Sequence, residues 1–350
     1  MRRDDSIKIM QPGLMTSVQD LGRYGYQRFG IGPSGALDPI ALRAANLLVG
    51  NDPGEGTLEV LYLGPTLEIE AENVRLSFAG ANASIEILRG GSKRTGIRIQ
   101  SQRSVLVKRG DIVKIGSLAD SSCLYVGVEG GFEMAASMGS VSTNIRAGTG
   151  GWQARSLVVG DRLPLRQSRA SDRGDFQLQG IKFLPPARLR AIEGPQHDYF
   201  SKADLDRFFE NEYTVGISDR VGMRLRSENP LSHTKGFNIA SDAIAPGSVQ
   251  VPGDGQPIVL LSDRQTTGGY PKVATVISAD LSAMGRLVMG AKIRFEPVAV
   301  EKAHALRRRV LSFQDGLQDH VVPLYDVSTP TLLTHNLISG VVDASHDSAD

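Results

Sequence analysis

Gly110-Asp111-Ile112-Val113-Lys114-Ile115, Gly160-Asp161-Arg162-Leu163-Pro164-Leu165 and Gly290-Ala291-Lys292-Ile293-Arg294-Phe295 share one pattern. Each opens on a glycine suited to a turn and continues with apolar residues at every second position, the period of a strand with one buried face. Two copies precede residue 168 and one follows it, which implies two similar β-rich halves. The same alternation recurs in Leu67-Glu68-Ile69-Glu70, Val74-Arg75-Leu76-Ser77-Phe78, Ser84-Ile85-Glu86-Ile87 and Gly96-Ile97-Arg98-Ile99. Thirty-nine of 350 residues are glycine, above the roughly 7% of an average protein, as expected of many short strands joined by tight turns.

Between the copies lies Gln167 to Asp175, polar, charged and aperiodic, the best linker in the chain. The expected organisation is therefore an N-terminal half over 1–168, a C-terminal half over 176–313 and an extended or partly disordered tail over 314–350. Four helices are expected. Asp38 caps one that starts at Pro39 and ends before Gly50, and Ser201 opens another carrying Leu205, Phe208 and Phe209. Ala279 to Arg286 and Val300 to Phe313 are the others, the last bearing Arg307, Arg308 and Arg309 as a solvated face.

Thirty-nine Lys and Arg against 38 Asp and Glu leave a formal charge of +1, so the broad electrostatic footprint of a nucleic-acid or anionic-membrane binder is missing. No apolar run approaches the about 20 residues of a membrane span, and the basic start Met1-Arg2-Arg3 leads into no apolar secretory stretch. The expectation is a cytoplasmic protein. The single cysteine, Cys123, precedes Leu124-Tyr125-Val126 and reads as a buried structural thiol.

Several chemistries are absent. The sequence has no GxxxxGK[ST] loop, no GxGxxG after a strand and no HExxH, and its six histidines never take metal-ligand spacing, so no metal site is expected. Gly32-Pro33-Ser34-Gly35-Ala36 looks like a hydrolase nucleophile elbow, but the second glycine comes one position early and no long parallel strand precedes it.

Three polar segments among turn formers carry the candidate chemistry. The first holds Asp20, Arg23 and Ser34, and the second Asp219, Arg220 and Arg224. The third follows the apolar run Ile258-Val259-Leu260-Leu261 and comprises Asp263, Arg264, Gln265, Thr266, Thr267, Gly268, Gly269, Tyr270 and Lys272, with Gln250 upstream. A strand that delivers such a loop is a common way of presenting reactive groups on a rigid scaffold. Plainer readings exist for some of these residues: Asp20 with Arg23 as a turn pair, Asp38 as a helix cap, and Asp219, Arg220 and Arg224 as an ion-pair network closing a barrel end.

The blocks Gln11-Pro12-Gly13-Leu14-Met15-Thr16-Ser17-Val18-Gln19-Asp20-Leu21-Gly22-Arg23, Pro33-Ser34-Gly35-Ala36-Leu37-Asp38 and Gly255 through Lys272 resemble the biotin-dependent carboxyltransferase family. Its members are labelled 5-oxoprolinase C subunits, second subunits of allophanate hydrolase or Kip-inhibitor antagonists, and it includes part of the carboxyltransferase region of urea carboxylase, a urea amidolyase relative. The resemblance spans about residues 7–297 in order; it departs after 313 and at Ser241-Asp242, where Ser-Glu is the family's pattern.

The resemblance implies a fold of two cyclophilin-like β-barrel domains in tandem. It also implies a B-type, Kip-inhibitor-like partner, and in the bacterial 5-oxoprolinase a third, A-type partner. The implied activity is that of the C-type member of an ATP-dependent 5-oxoprolinase complex, which cleaves 5-oxo-L-proline, a small amide, to L-glutamate. ATP would act in the complex, since no recognisable motif here binds it. In this reading Arg264 and Lys272 hold a carboxylate or phosphoryl group, Asp263 is a base or orients one, and the Thr267-Gly268-Gly269 backbone offers N–H donors to an oxyanion. One alternative is half of a biotin-dependent carboxyltransferase acting on urea or a related amide, with biotin brought by a partner. Another is a non-catalytic regulatory protein that binds the Kip-inhibitor-like partner.

Overall fold

The computed structural model describes residues 5–90 and 96–324. Among these the chain is mostly β, with four α-helices. Gly110, Gly160 and Gly290 have φ of 83°, 89° and 86°, and a Cβ on any of them would meet nothing within 4 Å. Backbone conformation, not lack of space, therefore demands glycine where each turn feeds its strand.

The first half builds two sheets. One runs, in spatial order, Arg162–Pro164, Ser6–Gln11, Thr66–Ile69, Ile112–Leu118, Ala83–Leu88 and Gly96–Ile99. The other runs Met15–Gln19, Thr57–Leu61, Cys123–Val128, Asn73–Gly80, Arg103–Lys108, Phe176–Leu178 and Val321–Pro323. Alternate residues of both sheets, among them Ile7, Ile9, Leu67, Ile85, Leu58, Leu76 and Val126, meet in one apolar core.

In the strand Cys123–Val128 every residue is buried. Leu124, Val126 and Val128 enter that core, while Cys123 and Tyr125 point to the opposite face. There they meet α1 (Pro39–Leu48), whose Ile40, Ala41, Leu42, Ala44, Ala45 and Leu48 are buried. Asp38 fixes its start: Oδ1 accepts from the Ile40 and Ala41 amides at 3.1 and 3.2 Å, with Pro39 in the first turn.

The second half is a closed barrel ordered Arg188–Glu193, Lys272–Val276, Ser248–Gln250, Ile258–Leu260, Gly222–Arg226, Tyr213–Ser218 and Lys292–Pro297. Neighbours pair antiparallel except Arg188–Glu193 with Lys292–Pro297, which close the ring in parallel. Helix α2 (Lys202–Glu210), capped by Ser201, plugs this barrel with Phe208, which stacks on Phe295 at a centroid distance of 4.5 Å. α3 is the single turn Leu281–Met284, shorter than expected, and α4 (Val300–Asp315) runs two residues past the expected end with no residue fully buried.

One contiguous apolar cluster joins α1 and the outer face of the seven-stranded sheet to the barrel interior, so the two halves share a core. From the region expected to be an extended tail, Leu317–His320 forms a 3-10 turn and Val321–Pro323 pairs with Phe176–Leu178 in the first half's sheet. The remainder of that expected tail, 325–350, lies outside the described residues.

Candidate functional site

Residues from each of the three polar segments, Gly35, Arg220 and Asp263, come together where the halves meet, and buried charge holds the junction. Arg220 donates to both carboxylate oxygens of Asp263, from Nε at 2.9 Å and Nη2 at 3.0 Å. Nη1 donates to Glu59 and Nη2 also to the Gly35 carbonyl at 2.7 Å. Glu59, in the strand Thr57–Leu61, further accepts from the Tyr125 hydroxyl at 2.7 Å and the Leu37 amide at 2.8 Å, and Tyr125 accepts from the Asp38 amide at 2.8 Å. Desolvation works against the Arg220 charge, but Asp263 and Glu59 outweigh it and raise its pKa, so the guanidinium stays ionised. Burial, and then Glu59, push the Tyr125 phenol well up, which keeps it a neutral donor. A second crossing pair lies alongside: Arg286 Nε donates to Asp38 Oδ2 at 2.6 Å.

Asp20 and Arg23 organise the neighbouring loop. The Asp20 carboxylate accepts from the Gly22 amide, the Ser140 and Ser142 hydroxyls and the Val141 amide at 2.7, 2.7, 2.5 and 2.7 Å. Arg23, 1% exposed, donates to the Ser142 carbonyl, and its Nη1 has no hydrogen-bond partner among the described residues. Desolvation lowers its pKa against the opposing pull of Asp20 and Asp263.

Arg264 has a different situation. It is 4% exposed, yet among the described residues no carboxylate pairs with it; Nε and Nη1 donate to the Ile244 and Leu261 carbonyls, both at 3.3 Å. Desolvation lowers its pKa, partly offset by Tyr24 and Asp263. Its side chain lines a cavity of about 180 Å³ between the halves, with Ser34 on the opposite half. Ser34 sits at φ 55°, in the left-handed region that non-glycine residues rarely adopt, and its buried Oγ has no partner among the described residues.

Lys272 lies on another side of the same loop and does not line that cavity. Its Nζ, 1% exposed, donates to Asp242 Oδ2 at 2.7 Å and to the Ala243 carbonyl at 3.0 Å. That ammonium, then Gln196, hold the Asp242 carboxyl down at about 2. Arg264 and Lys272 thus grip the consecutive carbonyls of Ile244 and Ala243. Thr267–Gly268 pairs with Asp242–Ala243 and the Gly269 carbonyl accepts from the Ile239 amide, which closes the loop over them. The Thr266 carbonyl accepts from the Ile244 amide at 3.0 Å, and Gln250 Nε2 donates to the Tyr270 carbonyl at 3.5 Å. Gln265, Thr267 and Tyr270 are exposed.

The second segment comes apart. Arg220 is at the centre of the junction, whereas the exposed Asp219 caps a turn by accepting from the Val221 and Gly222 amides, and Arg224 is exposed on its strand. Glu59, Tyr125, Arg286 and Gln196 belong to the site without having been singled out from the sequence. Among the described residues no group of three or more His, Cys, Asp or Glu side chains is placed to hold a metal ion, and no helix is long and apolar enough to cross a membrane. Burial raises the Cys123 thiol pKa well above its ordinary value, as suits an inert core residue.

A barrel and a two-sheet half locked together by buried ion pairs, with a cavity at the seam lined in part by Arg264, make the arrangement that comparison assigns to a carboxyltransferase-domain family. The chain belongs to that family: the model for the carboxyltransferase domain, subdomain A and B, matches residues 29–297. It is 37% identical over 305 residues to the 5-oxoprolinase C subunit of Escherichia coli (strain K12), covering 86% of this chain and 94% of that protein. It is 35% identical over 314 residues to the 5-oxoprolinase C subunit of Haemophilus influenzae, covering 89% and 97%. Among solved structures, the urea amidolyase of K. lactis superposes with a TM-score of 0.80 at 26% identity, over 93% of this chain and 21% of that one.

Proposed function

We propose that this chain is the C-type member of an ATP-dependent 5-oxoprolinase, acting with a B-type Kip-inhibitor-like partner and an A-type third partner to open 5-oxo-L-proline to L-glutamate. The observation that carries this reading is similarity: the chain is 37% and 35% identical to two 5-oxoprolinase C subunits, over 94% and 97% of their lengths, against 26% identity to the urea amidolyase chain. The two-sheet half and the barrel built between Arg188 and Pro297 form the two walls of the site in this reading, and Phe176–Leu178, expected in the second half, belongs to the first half's sheet.

The chemical task is to activate a poorly electrophilic amide, and positioning does most of it. Arg264 is the anion-binding group, since it alone of the loop's cations lacks a carboxylate among the described residues. Asp263 orients Arg220, because both its oxygens are engaged there. Lys272 is poised by Asp242 and Gln196, and Gln265, Thr266, Thr267, Gly268, Gly269 and Tyr270, which do not line the cavity, form the loop beside it that meets substrate or partner. At about 180 Å³ the cavity is well below the ~300–1,000 Å³ of sites for drug-sized ligands, so ATP does not share it with the lactam. The test is 5-oxoproline-dependent ATP hydrolysis by the chain alone and mixed with its B- and A-type mates. Turnover in the mixture only supports the reading; none in any mixture overturns it.

The family match favours a second reading, transfer of a carboxyl group from a partner-borne carboxybiotin to urea or a related amide nitrogen. In that case the mixture with a biotin carboxylase and carrier would carboxylate urea and leave 5-oxoproline untouched.

A further inference from the structure

Two polar groups in the junction lack the partners that such groups normally require. Ser34 Oγ is buried and makes no hydrogen bond among the described residues, and Nη2 of Arg264, which is not itself sealed, makes none to them either, Nε and Nη1 being the atoms that hold backbone carbonyls. They come from opposite halves and line the same cavity, whose remaining wall is largely apolar: Leu21, Leu37, Leu260 and Met284. A hydroxyl and a guanidinium edge facing one small space suit one negative charge, since the hydroxyl can donate and the guanidinium both donates and neutralises. A phosphoryl dianion would retain excess charge there, beside an apolar wall that solvates it poorly.

The loop geometry keeps this arrangement in place. Ser34 is held in the left-handed region, and the Gly35 that follows it, at φ 88°, brings its carbonyl onto Arg220. A Cβ on Gly35 would press on the Leu21 backbone at 2.9 Å, so the turn admits only glycine. On the other side, the Arg264 backbone and the Ser262 hydroxyl, which donates to the Ala36 carbonyl at 3.3 Å, fix the second wall against the first. The strain at Ser34 brings an otherwise unsatisfied hydroxyl to the cavity, an arrangement expected of a ligand contact.

We propose that this cavity is a subsite for the carboxylate of a small cyclic amide. The carboxylate sits on Arg264 Nη2, the Ser34 hydroxyl turns about its Cα–Cβ bond out of its sealed position to donate to it, and the ring rests on the apolar wall. The proposal rests on the 5-oxoprolinase reading for its ligand and extends it by assigning the ligand's orientation and a role to Ser34.

The test titrates the purified full chain calorimetrically with 5-oxo-L-proline, with pyrrolidin-2-one, which is the same lactam without the carboxylate, and with inorganic phosphate. The acid is expected to bind about 10- to 100-fold more tightly than pyrrolidin-2-one, as one charge-assisted contact allows, and phosphate should not displace it. Arg264→Gln is expected to bring the two lactams within about threefold of each other. Ser34→Gly removes the hydroxyl but suits the positive φ, so it should weaken acid binding several-fold without lowering the melting temperature. Failure of the acid to bind at millimolar concentration, retained discrimination in Arg264→Gln, unchanged acid binding in Ser34→Gly, or displacement by phosphate each overturns the subsite. The turnover assay with the B- and A-type mates judges the 5-oxoprolinase reading separately, so a failure of one is not read as a failure of the other.

Discussion

Replacing Arg220 with methionine would keep the hydrophobic stem and remove the guanidinium from the centre of the junction. The loss can be sized from its contacts: two hydrogen bonds to Asp263, one to Glu59 and one to the Gly35 carbonyl, on a side chain 3% exposed. The substitution strands two buried carboxylates facing each other across the space it leaves. Breaking a buried pair in this way costs about 3–5 kcal/mol, most of it the penalty of the charges left behind. At about 2.1 cal/mol/K per residue, a 350-residue chain that unfolds as one unit shifts by about 1.4 °C per kcal/mol, so the melting temperature should fall by about 4–7 °C, read by differential scanning fluorimetry. Glu59→Gln should cost less, about 1–3 kcal/mol, because Arg220 keeps its two-pronged grip on Asp263 and the amide oxygen still accepts from Tyr125. The double variant removes one of the stranded charges, so its cost should fall short of the sum by about 0.5–3 kcal/mol. A change under about 2 °C in Arg220→Met, or strict additivity in the double variant, would refute the view that this triad holds the halves together.

Asp38→Asn should keep the α1 cap and lose only the Arg286 ion pair, while Asp38→Ala should lose both and be about 1 kcal/mol less stable again by thermal unfolding. A Cβ on Gly285 would collide with the Leu37 carbonyl across the junction, so Gly285→Ala should cost about 1–3 kcal/mol in the same assay. Asp242 is depressed from an ordinary 3.8 to about 2, chiefly by the Lys272 ammonium, so the contact is intact above pH 3.8 and is lost as the pH falls through about 2. Its ¹³C carboxyl resonance should titrate with a midpoint near 2, and Lys272→Gln should move that midpoint back toward 3.8.

The strand pattern was legible because a turn glycine at positive φ followed by period-two alternation leaves a mark that needs no tertiary context, as Gly110, Gly160 and Gly290 show. The helix caps at Asp38 and Ser201 were legible for the same reason. Arg220, Asp263, Arg264 and Lys272 stood out as charged residues between glycines. Glu59 did not, because Thr57-Leu58-Glu59-Val60-Leu61 reads as a strand with one face in water, and only the packing of α1 and Arg220 over that face buries the carboxylate. Tyr125 was hidden in an apolar run. Asp219 and Arg220 looked like one unit, and they diverge because adjacent residues at a turn need not share a direction. The departure at Asp242 does engage the site: the shorter side chain still reaches Lys272 at 2.7 Å.

The pairing of Phe176–Leu178 with Val321–Pro323 on the flank of the first half's sheet has a consequence for dividing the molecule. A fragment ending at 168 would uncover the Arg103 end of the strand Arg103–Lys108, where Gln177 pairs with Arg103 and the Leu178 amide donates to the Gln102 carbonyl, and so widen an open edge that invites self-association. A complementary fragment would carry two strands whose only sheet lies in the other piece. Mixed together, such fragments should recombine by strand addition, so that the second half acts as a clasp on the first and each keeps the other soluble.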